Sequence, residues 1–464
     1  MTQETALKIL KSGKNVFITG AAGTGKTYLL DSFTTYLNDN SVNPAIVAPT
    51  GIAASHLGGQ TIHSFFGIGI RENIDPEFIA SLLEKKHLRT RFNKLTVLIV
   101  DEISMVSPDL FEAMDNILRE FKMAFLPFGG VQVVLSGDFF QLPPISKKMS
   151  SKKFAWQAEA WKELDFRTCY LQKKYRQDDD KLISVLDEIR SGNITEKTHK
   201  ILDSVYNKDL DIDFKPTKLY THNIDVDRIN QRELEKIESD PYLFEHKAVG
   251  TKRNIEKIFK TSLIVEELEL KKGAVVIFIK NNINKHYVNG TIGVVIGFTH
   301  EDNFPIVKTP TRKIIASEED WKIEDNNKIL AKVTQIPLRL AWAITVHKSQ
   351  GMSLDVAEID LSKTFEVGQG YVALSRVTSI KGLKLIGLND MALRVDSTIL
   401  QIDERIKGAS IRAEEEISKT SKTALNKTSK THLRHIENMK EDEIDKETKA
   451  IFDKAFKLLS KNKR

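Results

Sequence analysis

Apolar positions along this chain fall into two textures. The runs "NVFIT", "AIVAPT", "VLIV" and "VQVVL" early in the chain are rich in β-branched and aliphatic residues with little polar alternation, and "TKLYTHN", "AEIDL" and "LKLIGL" later are further strand candidates. That pattern predicts strands buried on both faces of parallel sheets. Between them lie helical stretches; after the first run, Leu29, Leu30, Phe33 and Leu37 fall on one helix face. Strand alternating with helix predicts an α/β architecture, here built twice. From about Ser239 to Thr334 the texture changes to short β runs with turns, such as "GAVVIFI" and "YVNGTIGVVIGF", where Asn289-Gly290 predicts a hairpin. The expected organisation is a first α/β domain over 1–165, a second over 166–238 and 335–396, a small β domain inserted at 239–334, and a tail from 397 to 464. A chain of 464 residues is too long for one core, in keeping with several domains.

Composition removes some classes of function. The longest apolar runs, such as "AVVIFI" at Ala274 to Ile279, fall far below the roughly 20 residues of a membrane span, so no membrane partner is expected. The leading "MTQETALKILKSGKN" has no apolar signal core, which points to a cytoplasmic protein. Cys169 is the single cysteine, too little for a disulfide or a zinc site. The net charge of +6 is small, but the segment Gln401 to Arg464 holds 16 basic against 12 acidic residues. Its stretch "SKTSKTALNKTSKTHLRH" has no acid. Three readings of this basic tail stand: a helical or flexible solvated extension, an arm that tracks nucleic-acid phosphates, and an end that docks on the rest of the chain or a partner through Ile444, Ile451, Ala455 and Leu458, which fall near one helical face.

Chemistry concentrates in "VFITGAAGTGKTYLL", where glycines separate a strand from a helix. Gly20, Ala21, Ala22, Gly23, Thr24 and Gly25 form a loop whose backbone N–H groups cradle phosphates. Lys26 reaches the β- and γ-phosphates, and the Thr27 hydroxyl is suited to Mg²⁺. A second element, "LTVLIVDEISM", ends a buried strand with Asp101, placed to hold Mg²⁺ through water, and Glu102, placed to take a proton from an attacking water. A glutamate directly after the aspartate points to hydrolysis. A third, "VQVVLSGDFFQLPP", brings Gln141 to the end of another strand.

These motifs, with "APTGIAASHLGGQTIHSFFGIG", "YRQ", "LKKGAVVIFIKNN", "VNGTIGVV", "AITVHKSQGMSLD" and "YVALSR", resemble the ordered motifs of superfamily 1 DNA helicases of the Pif family, over about Gln3 to Leu388. The resemblance implies two RecA-like P-loop NTPase motor domains with an inserted SH3-like β domain. It implies ATP as the nucleotide, read at adenine by Gln3; γ-phosphate sensing by Gln141; and neutralisation of the transferring phosphoryl group by Arg176 and Arg376. Thr50, His63, Thr345, His347 and Lys348 would touch single-stranded DNA, and about Ser64 to Phe92 would form a wedge that splits the duplex. The activity implied is 5′-to-3′ translocation and unwinding of forked or structured DNA by a chain that is a monomer in solution. Tyr175 and Ser353 stand where the family often has Phe and Thr. Glu102 and the second lobe argue against a P-loop kinase or switch. A RecD-like subunit of a larger complex, and a DNA-stimulated ATPase that does not separate strands, remain alternatives.

Overall fold

The computed structural model describes residues 1–69, 74–144, 154–177, 179–210, 216–221, 226–282, 284–287, 289–309, 312–325, 328–346 and 349–441. Among them, strands β1 (Val16–Gly20), β2 (Ala45–Ala48), β3 (Gln60–Thr61), β4 (Val97–Val100), β5 (Gln132–Ser136) and β6 (Arg167–Leu171) form one parallel sheet in the order β3-β2-β4-β5-β1-β6. β1, β4 and β5 are buried at every position, because helices cover both faces. Their carboxyl ends carry the phosphate loop, the acid pair and Gln141, where ligands gather in open α/β sheets.

The chain continues through β7 (Thr217–Tyr220) into the inserted strands. These are β8 (Pro241–Glu245), β9 (Lys247–Gly250), β10 (Glu267–Lys271), β11 (Val275–Phe278), β12 (Ile292–Phe298), β13 (Pro305–Lys308), β14 (Lys313–Ile315), β15 (Glu319–Asp325), β16 (Lys328–Gln335) and β17 (Leu338–Leu340). They make small antiparallel sheets, the largest in the order β14-β13-β12-β11-β17. β18 (Ala343–Thr345), β19 (Ala357–Leu361) and β20 (Leu383–Leu388) then join β7 in a second parallel sheet, β18-β7-β19-β20.

Two boundaries and one turn differ from the sequence expectation. β6 lies beyond residue 165 yet pairs with β1 of the first sheet, and β17 lies beyond residue 334 yet pairs with β11 of the inserted unit. Asn289-Gly290 does not make a tight two-residue hairpin; it closes a longer connection between β11 and β12, in which the Gly290 N–H donates to the Phe278 carbonyl. Gly290 has φ +99°, and a Cβ there would stand 2.5 Å from the Ser353 carbonyl oxygen, so glycine is required where this turn presses on the second lobe. The expected wedge region contains two short helices, Pro76–Leu83 and Lys86–Asn93, whose Leu82, Leu88 and Phe92 pack into the first lobe's core.

The tail is folded onto the first lobe. Helix Ser397–Lys419 runs along β6, the edge of the first sheet: Tyr170 N donates to Ser410 Oγ at 3.0 Å, and Arg167 Nε pairs with Glu416 at 2.9 Å. An edge strand presents unpaired backbone groups, and this helix covers them. Helix Lys422–Glu441 follows, burying Ile436 against a cluster that includes Leu10, Val16 and Phe33, while Lys427, Lys430 and Arg434 face solvent. The described part of the tail is therefore a docked brace rather than a loose extension. His432 marks the contact: its Nε2 lies 3.1 Å from Gln132 Oε1. Since the Gln132 amide nitrogen already donates to the Leu10 and Lys14 carbonyls, Oε1 accepts and His432 Nε2 carries the proton.

Burial, with a smaller push from His435, lowers the His432 pKa to about 4. A histidine depressed in the folded state stabilises docking fully above its ordinary pKa of about 6.5 and loses that contribution as pH falls toward 4. Hydrogen exchange of residues 422–441, corrected for intrinsic rates, should therefore show falling protection between pH 7 and pH 5. His432→Gln should flatten that dependence, and equal protection at both pH values would contradict the buried contact.

Candidate nucleotide site between the lobes

The phosphate loop is built by backbone conformations open to glycine. Gly20, Gly23 and Gly25 have φ of +144°, +82° and +80°, and Gly25 caps the helix Lys26–Asp39, leaving that helix's first N–H groups aimed at the loop's mouth. Lys26 Nζ donates to the Gly20 and Ala21 carbonyls at 2.9 and 3.1 Å, folded back into the concavity that phosphates would fill. Burial lowers its pKa, and the charges of Asp138 and Glu102 oppose that shift. Thr27 is exposed at the mouth. Gln3 lies at the loop's other side, its Nε2 donating to the Gly25 carbonyl at 3.2 Å and, more weakly, to that of Thr24. A Cβ on Gly25 would meet Gln3 Nε2 and, farther off, the Tyr175 ring, so the half-exposed Tyr175 stands beside Gln3 at one end of the loop.

The acids face Lys26. Asp101 is buried, and burial raises its pKa against the pull of the Glu102 N–H and Lys26. Glu102 is pushed up to about 7 by burial and by the Asp101 charge, with Lys26 and Arg376 opposing. Its backbone is left-handed, φ 53° and ψ 44°, a conformation costing a non-glycine residue about 1–2 kcal/mol. This turns the side chain away from the strand's direction toward the cleft.

The second lobe closes the site. Tyr175 N donates to the Gly23 carbonyl at 2.8 Å, and a Cβ on Gly23 would lie 2.7 Å from Arg176 Cβ, so the "YRQ" segment lies directly on the loop. Arg376 is 1% exposed, locked by bonds from Nε to the Val372 carbonyl and from Nη2 to Ser375 Oγ. Burial and the neighbouring Arg176 lower its pKa to about 9, with Glu102 opposing. An anion between these arginines would relieve their repulsion. Gln141 is buried at the end of the turn after β5, and its backbone carbonyl abuts Gly368 of the second lobe.

Sequence reasoning missed several neighbours. Gln350, in "HKSQG", donates from Nε2 to Glu102 Oε2 at 3.1 Å, reaching the acid from the second lobe. Asp138 and Tyr371 stand inside quoted motifs, yet nothing in their spacing marks them as partners. Arg190, in the helix Asp180–Ser191, has no local signal, and it binds Asp138 through one guanidinium nitrogen at 2.6 and 2.7 Å.

The expected DNA contacts are placed more loosely. Thr50 follows β2 and caps the helix Gly51–His56, Oγ1 accepting from the Ala53 N–H. His63 is half-buried in the short helix after β3, and burial lowers its pKa. Thr345 ends β18. His347 and Lys348 lie outside the described residues. Thr50 and Thr345 thus occupy corresponding carboxyl ends of parallel strands in the two lobes.

A glycine-rich phosphate loop, an acid pair at the adjacent strand end and two arginines from a second α/β lobe define a two-lobed P-loop NTPase of the motor class. Residues 3–200 match the family model described as PIF1-like helicase. The chain is 40% identical to the ATP-dependent DNA helicase Pif1 of Psychrobacter sp. over 92% of its own length and 73% of that protein. It is 38% identical to the Bdellovibrio bacteriovorus counterpart, over 88% and 92%. The Pif1 of Bacteroides sp. in complex with ADP-AlF4 superposes with TM-score 0.74 at 32% identity, covering 88% of this chain and 96% of that one. A Bacteroides Pif1 complex with ADP-AlF3 and ssDNA gives 0.60 at 31% identity, covering 88% and 96%. The chain belongs to the PIF1-like helicase family.

Gly23→Ala tests how tightly the lobes meet at the loop. The new methyl would demand a left-handed backbone and collide with Arg176, so affinity for a fluorescent ATP analogue should fall by about tenfold or more. An unchanged dissociation constant would show that Arg176 does not lie on the loop.

Proposed function

We propose that this protein is an ATP-dependent DNA helicase that moves 5′ to 3′ along single-stranded DNA and opens forked or structured duplexes. The observation that carries this reading is Glu102: a raised, left-handed carboxylate directly after Asp101, facing Lys26 from one lobe and held by Gln350 from the other. ATP sits with its phosphates on the loop Gly20 to Thr27 and its base between Gln3 and Tyr175. The Lys26 ammonium leaves the Gly20 and Ala21 carbonyls for the β- and γ-phosphates.

Thr27 and Asp101 would hold Mg²⁺; an exposed hydroxyl beside a buried carboxylate suits an ion that keeps most of its ligands as water and phosphate. Bound there, the ion supplies neutralisation of charge on the β- and γ-phosphates. Glu102 takes the proton of the attacking water, Gln141 contacts the γ-phosphate, and Arg176 and Arg376 stabilise charge on the transferred group. Because those arginines belong to the second lobe, the nucleotide favours closure and product release relaxes it.

DNA lies across the strand ends that lead to Thr50, His63 and Thr345, and His347 and Lys348, two and three residues after Thr345 in the chain, join these contacts. Contacts there are to phosphates and base faces, which suits travel without sequence preference. Five residues after Thr345 in the chain comes Gln350, the residue on Glu102, so strand binding and water activation draw on one short stretch of sequence. The helices of 64–92 act as the wedge. The protein works as a monomer in the cytoplasm, in maintenance of the genome.

Glu102→Gln should keep ATP and DNA binding and lower turnover by ~10²–10⁴-fold. Near-normal phosphate release from that variant would sink the role of Glu102. For polarity, duplexes with a 5′ single-stranded tail should be unwound and 3′-tailed duplexes left intact; the opposite preference would refute the direction, and no unwinding of either would favour a strand-binding ATPase.

A further inference from the structure

Five polar side chains, each less than a tenth exposed, form a continuous chain from the tail helix to the phosphate loop. Asp403, on the helix Ser397–Lys419, accepts from the Tyr170 hydroxyl at 3.2 Å. Tyr170 also accepts from Arg190 Nη2 at 3.1 Å. The other terminal nitrogen of Arg190 binds both oxygens of Asp138, in the turn after β5. Asp138 Oδ2 accepts from the Tyr371 hydroxyl at 3.3 Å, and that hydroxyl in turn accepts from the backbone N–H of Ala22 at 3.1 Å and from Arg190 at 3.4 Å.

Tyr371 is a point where this chain crosses between lobes. Ala22 and Asp138 lie in the turns after β1 and β5 of the first lobe, whereas Tyr371 lies in the helix Gln369–Leu374 that connects β19 to β20. One donor and two acceptor positions satisfy a hydroxyl completely. The ring is 1% exposed and fixed by packing, so its oxygen has little freedom to find other partners. Arg376 follows two residues after the end of this short helix and is tied back to it, its Nε donating to the Val372 carbonyl. Wherever Tyr371 meets Ala22, Arg376 is carried to a set position beside Arg176 and Glu102.

We infer that Tyr371 is a positioning residue for ATP hydrolysis: its hydroxyl registers the arginine-bearing helix of the second lobe against the phosphate loop and thereby places Arg376. This inference rests on the ATPase reading above and concerns which residue aligns the two halves of that site. Tyr371 acts through Arg376. Asp138 and Arg190 hold its oxygen from behind, and Asp403 and Tyr170 complete the charge around Arg190.

Tyr371→Phe keeps the ring and removes only the hydroxyl. The turnover number for DNA-stimulated ATP hydrolysis should fall about tenfold or more, since small misplacements of an aligned group are costly. Affinity for a fluorescent ADP analogue should stay within about threefold. In an Arg376→Ala background the same change should cost nothing further, because the group it positions is gone. Tyr170→Phe, which removes a buried hydroxyl from the same chain but not from the loop contact, should leave turnover within about twofold. Full turnover in Tyr371→Phe, additive losses with Arg376→Ala, or an equal loss in Tyr170→Phe would each overturn the assignment. So would a melting temperature below the assay temperature, since registration between lobes leaves each lobe's own fold intact. An unsubstituted protein without DNA-stimulated ATP turnover would instead refute the functional reading.

Discussion

A buried guanidinium must be ringed by acceptors, and Arg190 organises the interlobe surface around that requirement. Breaking a buried ion pair by removing one partner costs about 3–5 kcal/mol, far more than an exposed pair is worth. Arg190 meets the need with both oxygens of Asp138, the hydroxyls of Tyr170 and Tyr371, and the face of the Phe140 ring 4.0 Å away. Burial works against its charge, and Asp138 more than compensates, holding its pKa well above the usual arginine value. Since Asp138 opens the turn that ends at Gln141, and the Gln141 N–H donates to the Asp138 carbonyl, the same ion pair shapes the loop that reaches toward the γ-phosphate position.

That arrangement leaves the repulsive part of the site to the nucleotide. Arg176 and Arg376 stand beside Glu102 with neutral carbonyl and hydroxyl acceptors in place of the carboxylate that binds Arg190, and burial lowers the pKa of both. The two arginine environments divide the work: one cation is fully paired and fixes geometry, while the other two are under-compensated and favour an incoming polyphosphate. Closure driven by ligand charge needs such an imbalance, because a cleft already neutral would close without ATP.

Much of this was legible in the sequence where chemistry demands contiguous residues. The phosphate loop, the acid pair and the unalternating strands β1, β4 and β5 are local patterns, and their positions follow from spacing alone. β18 is too short to stand out, and β6 begins with Arg167 and pairs with a sheet its chain position does not suggest. The tail was legible in its helical character, and the docking face expected at Ile444, Ile451, Ala455 and Leu458 lies outside the described residues. The buried apolar positions of the described tail, Ile399, Ala413 and Ile436, are sparse, and the cluster that receives the last two includes residues from the opposite end of the chain. Arg190, Asp138, Tyr371 and Asp403 have no shared spacing; only tertiary packing brings them together. Gln350 was within a quoted motif, but its contact with Glu102 spans the cleft.

The cleft therefore carries two kinds of bond between lobes, and they differ in what they allow. The Arg190–Asp138 pair with Tyr371 is closed to solvent and fully satisfied, so it resists separation and acts where the lobes stay together. The Gln350–Glu102 bond is a single contact, and the Gln350 side-chain Oε1 is buried with no partner of its own. A singly held side chain with an unspent acceptor is the cheaper one to move. Motion in this motor should thus be concentrated at the edge of the cleft nearest the strand ends, with the ion pair as its pivot. That is the geometry by which a small displacement along DNA can reach Glu102 without disturbing the loop that binds phosphate.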